Sequence, residues 1–454
     1  MVRSFFVFLT VLVLSSNPTA GQSEAVRAAH DYGFDLRSAT TWEVDLTREG
    51  FTWPAVPSDV DTVLLEIELR SRSPRKALPS IQALAEEEIV QHVEREARGR
   101  RYLNLSALAA NGWPAAGSEV QLDGWKVSWQ PQVAKLRGFA TPAVAGRRTL
   151  ILAPHPDDAE IAAFGLYAST DADVVTVTAG DAGGMNFRSL YPEASSHYRV
   201  KGWIRTLDSL LVPRLGGVSA PRARNLGYYD ATLHRLYEQP TEFIEAPYAE
   251  LPSPGWFRTL NADPDLAGKP FSGTWRGLVG DMKDELERVR PEIVVLPHPQ
   301  LDAHRDHQYT SIAFLEALAT TDFEPTLFFY TNHAVGAEVY PYGPRQATAS
   351  LPPWLGETLP FDSVYSFPLD EEMQSKKLFA LEAMHDLRPF RIEGAPGAGE
   401  SFRAWKRAVG RRFRAHRESY SYYRRAARPN ELFLVADRES GLEVLDVFLE
   451  GRER

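Results

Sequence analysis

Ala153-Pro-His-Pro-Asp-Asp158 follows directly on the apolar, β-branched run Thr149-Leu-Ile-Leu-Ala153. The run reads as a buried strand. Pro156 has no N–H to give a ladder and biases His155 toward extended backbone, so the strand ends there. From Asp158 through Ile161, Phe164 and Tyr167 the spacing predicts a helix, with carboxylates in the first turn where its dipole favours them. Far downstream the same design recurs. Glu292-Ile-Val-Val-Leu296 reads as a short strand, His304-Arg-Asp-His307 follows it, and Thr310 to Leu318 predicts a helix with Ile312, Leu315 and Leu318 on one face. Ligands of open α/β sheets collect at the carboxyl ends of strands, so the two polar clusters are expected to meet in one crevice.

The residue types in these clusters point to a metal. Three histidine or carboxylate ligands with one position left open describe a catalytic zinc site, and His155, Asp158 and His307 supply them. Asp157 is then free to take a proton from a water that the cation acidifies. His304 can donate to a developing oxyanion, and Asp306 or Asp302 can orient a histidine. Asp157, His304 and Asp306 are therefore the candidate catalytic residues. Helix capping accounts for an Asp-Asp pair taken alone. It does not ask for histidine in both clusters.

Pro154-His-Pro-Asp-Asp-Ala-Glu160 and His304-Arg-Asp-His307 resemble the two signature motifs of the LmbE/PIG-L zinc-dependent N-deacetylases. The resemblance implies a Rossmann-like α/β domain over about 146–440 and removal of acetyl groups from N-acetylglucosamine-containing substrates and related amides. By motif position it also implies His155, Asp158 and His307 as Zn2+ ligands, Asp157 as general base and His304 as the oxyanion-stabilising histidine. Other divalent ions suit such ligands too. Val174-Val-Thr-Val-Thr178 reads as another strand, and Ala179-Gly-Asp-Ala-Gly-Gly184 after it resembles a glycine-containing turn of the family. Arg199 and Asn225-Leu-Gly-Tyr-Tyr-Asp230 resemble positions near the substrate, although Val200 stands where an acid is expected beside the arginine. Asp181, Arg199 and Asn332 are taken as candidate substrate contacts, the last because Tyr330-Thr-Asn-His333 closes a further apolar strand.

The start of the chain reads as a secretory signal peptide over 1–21, with Arg3, the apolar run Phe5 to Leu14 and the small residues Thr19-Ala-Gly21. A secreted or periplasmic location is expected, with no integral membrane segment after its removal. The chain has no cysteine, which excludes disulfides and thiolate ligands. Its 454 residues suggest two domains, and a net charge of -10 argues against a nucleic-acid partner.

Residues 24–138 have a different texture. Partly alternating stretches such as Thr62 to Leu69, Arg101 to Leu105 and Gly124 to Trp129 predict a β-sandwich or jelly-roll domain. Glu86 to Arg95 fits strand or helix. Trp125 and Trp129, spaced with Val127, are expected in its core rather than stacked on sugars. Gly138, Pro142 and Gly146 mark a linker. The proline- and aromatic-rich segment 231–275 reads as an insertion at the active-site mouth, with Tyr340 to Pro360 as the opposite wall. The basic stretch Trp405 to Arg428 reads as a solvated helix face, and Leu432 to Val435 as a closing strand. The function expected is hydrolysis of N-acetyl groups on an envelope glycan or glycoconjugate. The alternatives are hydrolysis of a non-sugar N-acyl amide and non-catalytic glycan binding.

Overall fold

The computed structural model describes residues 31–72, 78–141, 143–184, 187, 190–337, 339–356, 359–387 and 423–453. The leader at 1–21, Pro142 and most of the basic stretch from Trp405 lie outside them.

The first part of the chain makes two antiparallel sheets. One runs β1 (Thr40–Leu46), β9 (Gln132–Phe139), β3 (Thr62–Ser71), β6 (Arg98–Asn104), with β8 (Val127–Trp129) also paired to β3; the other runs β2 (Gly50–Thr52), β7 (Glu119–Trp125), β4 (Ser80–Leu84), β5 (Glu88–His92). Their inward faces share one core that includes Phe51, Trp53, Leu65, Ile67, Ile81, Val120, Leu122 and Leu136. The period-2 pattern places them: in β4, Ile81 and Ala83 are buried while Ser80 and Gln82 are half-buried. The ambiguous stretch 86–95 contains strand β5 and no helix. The expectation for the tryptophans holds for one of the two. Trp129 is buried and donates to the Thr47 carbonyl at 2.9 Å, whereas Trp125 is 50% exposed with Lys126 Nζ over its ring. Lys126 has φ 57, and this break between β7 and β8 shifts the phase of the alternation. Gly138 belongs to β9 rather than to a linker; a Cβ there would lie 2.6 Å from the Trp42 ring.

The second part is a seven-stranded sheet in the order β12 (Ala223–Tyr228), β11 (Asp171–Thr178), β10 (Arg148–Ala153), β13 (Ile293–Pro297), β14 (Thr326–Tyr330), β16 (Asn430–Ala436), β15 (Ser363–Pro368). The first five strands are parallel; β16 is antiparallel to both of its neighbours. β13 is buried at every residue, as a strand covered on both faces must be. Around the sheet lie α1 (Asp158–Ala168), α2 (Ala194–Leu211), α3 (Leu233–Glu238), α4 (Pro264–Gly268), α5 (Trp275–Val289), α6 (Arg305–Ala319), α7 (Glu371–Ala383) and α8 (Arg438–Glu453). The chain leaves β10 for β11 and β12 on one side and returns to β13 and β14 on the other. That is the doubly wound order, and its switch point falls between β10 and β13, the strands that end in the two polar clusters.

Two segments carry more structure than their composition suggests, and one expectation changes. Residues 231–275 are not a bare loop: they contain α3, α4 and the turn Trp256–Leu260, and Phe257 packs fully buried against Ala179 and Tyr229. The segment 340–360 is tied to the first domain, with the Thr348 N–H on the Val90 carbonyl at 2.8 Å and the Asn104 side chain on the Ala349 carbonyl at 2.8 Å. Arg428 is not on a solvated face. It is buried and donates to the carbonyls of Pro341, Tyr342, Gly343 and Ala347, and burial lowers its pKa to about 9. Among the described residues no helix is long and apolar enough to cross a membrane.

Candidate metal centre

The turn after β10 and the start of α6 bring three donor atoms together. His155 Nδ1 lies 3.2 Å from Asp158 Oδ2, His307 Nε2 lies 3.1 Å from the same oxygen, and the two nitrogens are 3.3 Å apart. Bonds of about 2.0–2.1 Å to one tetrahedral ion place its ligand atoms about 3.3 Å from one another. The triangle therefore fits a small divalent cation as it stands. All three residues are buried, His307 completely.

The far nitrogen of each histidine faces carboxylate. His155 Nε2 is 3.2 Å from Asp230 Oδ1 and 3.3 Å from Asp306 Oδ2, and His307 Nδ1 is 3.0 Å from Asp302 Oδ2. Asp306 is itself pinned by the N–H groups of Ala231 and Leu233, so it sits behind His155 as an orienting group. Asn332 Nδ2 donates to Asp158 Oδ1 at 2.8 Å, leaving Oδ2 to the triangle. Burial opposes charging of His307, but Asp158 and Asp302 raise its pKa to about 10; burial opposes ionisation of Asp302, but His307 brings it down to about 2. The cluster is thus built around positive charge, which protons or a cation can supply.

Asp157 and His304 flank the triangle. Asp157 occupies the N-cap position of α1 with φ 132, ψ -24, yet its side chain caps nothing. Arg205 Nη2 holds Asp157 Oδ2 at 3.1 Å. Burial pushes the Asp157 carboxyl up to about 7, with Arg205 pulling the other way. His304 caps α6, its Nδ1 accepting the Asp306 N–H at 3.3 Å. Burial and the neighbouring His155 and His307 lower its pKa to about 4. A neutral ring that accepts at Nδ1 carries its proton on Nε2, where it can be donated.

Residues 150–318 match the protein family described as PIG-L: GlcNAc-PI de-N-acetylase. This segment is a PIG-L family domain. Both polar clusters lie inside it. Among solved structures, the chain is similar to one described as the zinc-inhibited form of teicoplanin deacetylase Orf2, at 18% identity and a TM-score of 0.33, over 64% of this chain and 98% of the other. A structure of the A40926 pseudoaglycone deacetylase Dbv21 matches at 18% and 0.33, over 64% and 97%. GalB, the 4-carboxy-2-hydroxymuconate hydratase from Pseudomonas putida KT2440, matches at 14% and 0.31, over 64% and 95%. A search of curated proteins found no match.

Within the PIG-L domain and just beyond it, all five parallel strands deliver residues from their carboxyl ends. Asp181, after β11, is fully buried: Oδ1 accepts the Asp230 N–H at 2.8 Å, Oδ2 has no hydrogen-bond partner among the described residues, and burial raises its pKa to about 7. It supports Asp230, which supports His155. Arg199 holds the Glu250 carbonyl at 3.4 Å in the segment before α4. Asn332 meets Asp158, as described above. His333, at the exposed rim, brings its ring within 5.0 Å of His307. Sequence reasoning grouped Asp230 only with a family-like stretch and did not single out Arg205. The available signal for Arg205 was a run of polar residues at helical spacing on α2.

Proposed function

We propose that this chain is a divalent-metal-dependent N-deacetylase acting on N-acetylglucosamine-type sugars of an envelope glycan or glycoconjugate. The observation that carries the reading is the triangle of His155, Asp158 and His307, each histidine backed by carboxylate. Support for the sugar comes from the PIG-L family match. Support for an extracytoplasmic site comes from the leader-like residues 1–21. Zinc suits the nitrogen and oxygen donors.

A divalent cation held by these three residues would polarise the acetamide carbonyl and acidify water. Asp157 accepts the proton of the attacking water. His304 donates from Nε2 to the oxygen that gains negative charge as the carbonyl becomes tetrahedral. Collapse breaks the C–N bond, and the nitrogen leaves with a proton from Asp157 or His304, giving amine and acetate. Asp230, Asp302, Asp306 and Asn332 keep the ligand atoms aimed.

Metal analysis of the purified protein, together with acetate release from a panel of acetylated amino sugars and non-sugar N-acetyl amides, tests this. Metal-dependent release from the sugars is expected. Release from the non-sugar amides alone overturns the sugar assignment, and a metal-loaded protein that releases no acetate overturns the enzyme.

A further inference from the structure

Helix α2 turns a polar stripe inward. His197, Lys201, Arg205 and Asp208 recur at helical spacing and are 0%, 1%, 6% and 6% exposed. Burying such groups is costly unless they are bonded: His197 accepts the Phe187 N–H and Asp208 the His385 N–H, while Lys201 and Arg205 donate to the turns that follow β11 and β10. Arg205 Nη2 donates to the Pro156 carbonyl at 2.9 Å and to Asp157 Oδ2 at 3.1 Å, while Nη1 reaches the Gly180 carbonyl at 3.4 Å and Asp386 Oδ2 at 3.5 Å. Asp386, just past α7, also lies 3.4 Å from Lys201 Nζ. Gly180 has φ +66, and a Cβ on it would lie 2.6 Å from Arg205 Nη1 and 2.8 Å from Cζ. Glycine suits this positive φ and leaves the guanidinium room against the turn.

Asp157 needs such a holder. Its φ of 132 is one an L-residue rarely adopts, at a cost on the order of 1–3 kcal/mol. An aspartate at an N-cap ordinarily turns its carboxylate onto the first N–H groups of the helix; Asp157 does not. The guanidinium grips both sides of this strained residue, the carbonyl before it and the carboxylate oxygen Oδ2 on it. Among the described residues no partner is recorded for Oδ1.

We propose that Arg205, seated on Gly180 and braced by Asp386, is the positioning residue of Asp157: it holds Oδ2 and the Pro156 carbonyl so that the carboxylate stays off the helix cap and Oδ1 remains available to the attacking water. The proposal rests on the reading of Asp157 as the base.

A double-mutant cycle separates the two. Using acetate release from N-acetylglucosamine oligomers, Arg205→Ala is expected to lower kcat roughly 100-fold, the effect of a reacting group misplaced by about 1 Å, with KM and metal content unchanged. In an Asp157→Asn background, the same substitution should change kcat by less than about threefold, because residues that act as one unit are not additive. A full 100-fold loss in that background overturns the positioning role. Unchanged turnover in Asp157→Asn alone instead overturns the base assignment. Should Arg205→Ala fail to fold, Arg205→Gln serves in the same cycle, since it keeps a donor for the Pro156 carbonyl and loses the fork that spans both acceptors; wild-type kcat in that variant also overturns the proposal.

Discussion

Asp302 Oδ2 lies 3.0 Å from His307 Nδ1, on the opposite side of the ring from the nitrogen that faces Asp158. The same oxygen accepts the N–H groups of Asn332 and His333 at 3.0 and 3.1 Å, and Oδ1 accepts the His304 N–H at 2.9 Å. One buried carboxylate thus orients the His307 ring and ties the end of β14 to the turn before α6. Asp302→Asn keeps the shape but removes the charge that favours a proton on Nδ1. Metal affinity is expected to fall 10- to 100-fold. Competition with a chromophoric chelator measures it, and affinity within twofold of wild type contradicts the role.

Asp157 and His304 should separate from the ligands by phenotype. Asp157→Asn is expected to bind metal normally and lose 10²–10⁴ in kcat, the usual range for a general base. His304→Ala should also keep its metal and lose about 10²–10³, as removal of an oxyanion donor does. His155→Ala should lose the metal itself. Metal content and turnover measured on the same samples distinguish these classes, and loss of metal in Asp157→Asn would reverse the assignment of the two adjacent aspartates.

Metal binding should expel protons. Without metal, His307 has a pKa of about 10 against an unfolded value near 6.5, so at pH 7 the ring carries a proton that a ligand nitrogen cannot keep. The raised value also means that this histidine stabilises the metal-free fold fully below pH 6.5 and loses that contribution as pH rises through 10. Between pH 6.5 and 9, apparent metal affinity is expected to rise roughly tenfold per unit for each proton displaced. Calorimetry in two buffers of different ionisation enthalpy counts the protons; a pH-independent affinity with none released contradicts the charge balance described here.

What could be read in advance follows the distance along the chain over which each role is set. His155 and Asp158 are three residues apart, and the strand, the proline and the helix that place them are all written locally. The switch-point crevice followed from two such local readings. The outer groups are set by contacts between remote segments: Asp230 with His155, Arg205 with Asp157, and Asn332 with Asp158. No local pattern says which carboxylate backs which histidine, and for that reason Asp306 and Asp302 stood as alternatives when each in fact backs a different ring. For Asn332 the sequence suggests a substrate contact and the structure adds a protein partner, Asp158 Oδ1, because a polar residue past a strand end looks the same whether it meets ligand or protein. The Trp125 reading missed for a different reason. Alternation is informative only while the backbone stays extended, and the positive φ of Lys126 resets the phase within a single residue.

Helix α1 carries Asp158 in its first turn and is broken at Ala163, where φ -144, ψ 24 leaves the helical region. The N–H groups just past the break are not left bare. Gly165 donates to Glu431 Oε1 at 2.8 Å and Leu166 to Oε2 at 2.9 Å, from a carboxylate on β16 that also accepts Lys377 Nζ at 2.7 Å. The Glu431 and Lys377 side chains are each 1% exposed, so water cannot replace a lost partner. Burial lowers the Lys377 pKa and Glu431 opposes that shift. Glu431→Leu strands two N–H groups and one ammonium, and breaking a buried pair from one side costs about 3–5 kcal/mol. Adding Lys377→Met should recover part of this, since the charge then goes with its partner. Denaturant midpoints of the metal-free proteins give both numbers. A loss below about 1 kcal/mol in Glu431→Leu would mean that the break in α1 is not splinted by β16. A double variant no more stable than the single one would place the cost in the two N–H groups and not in the buried charge.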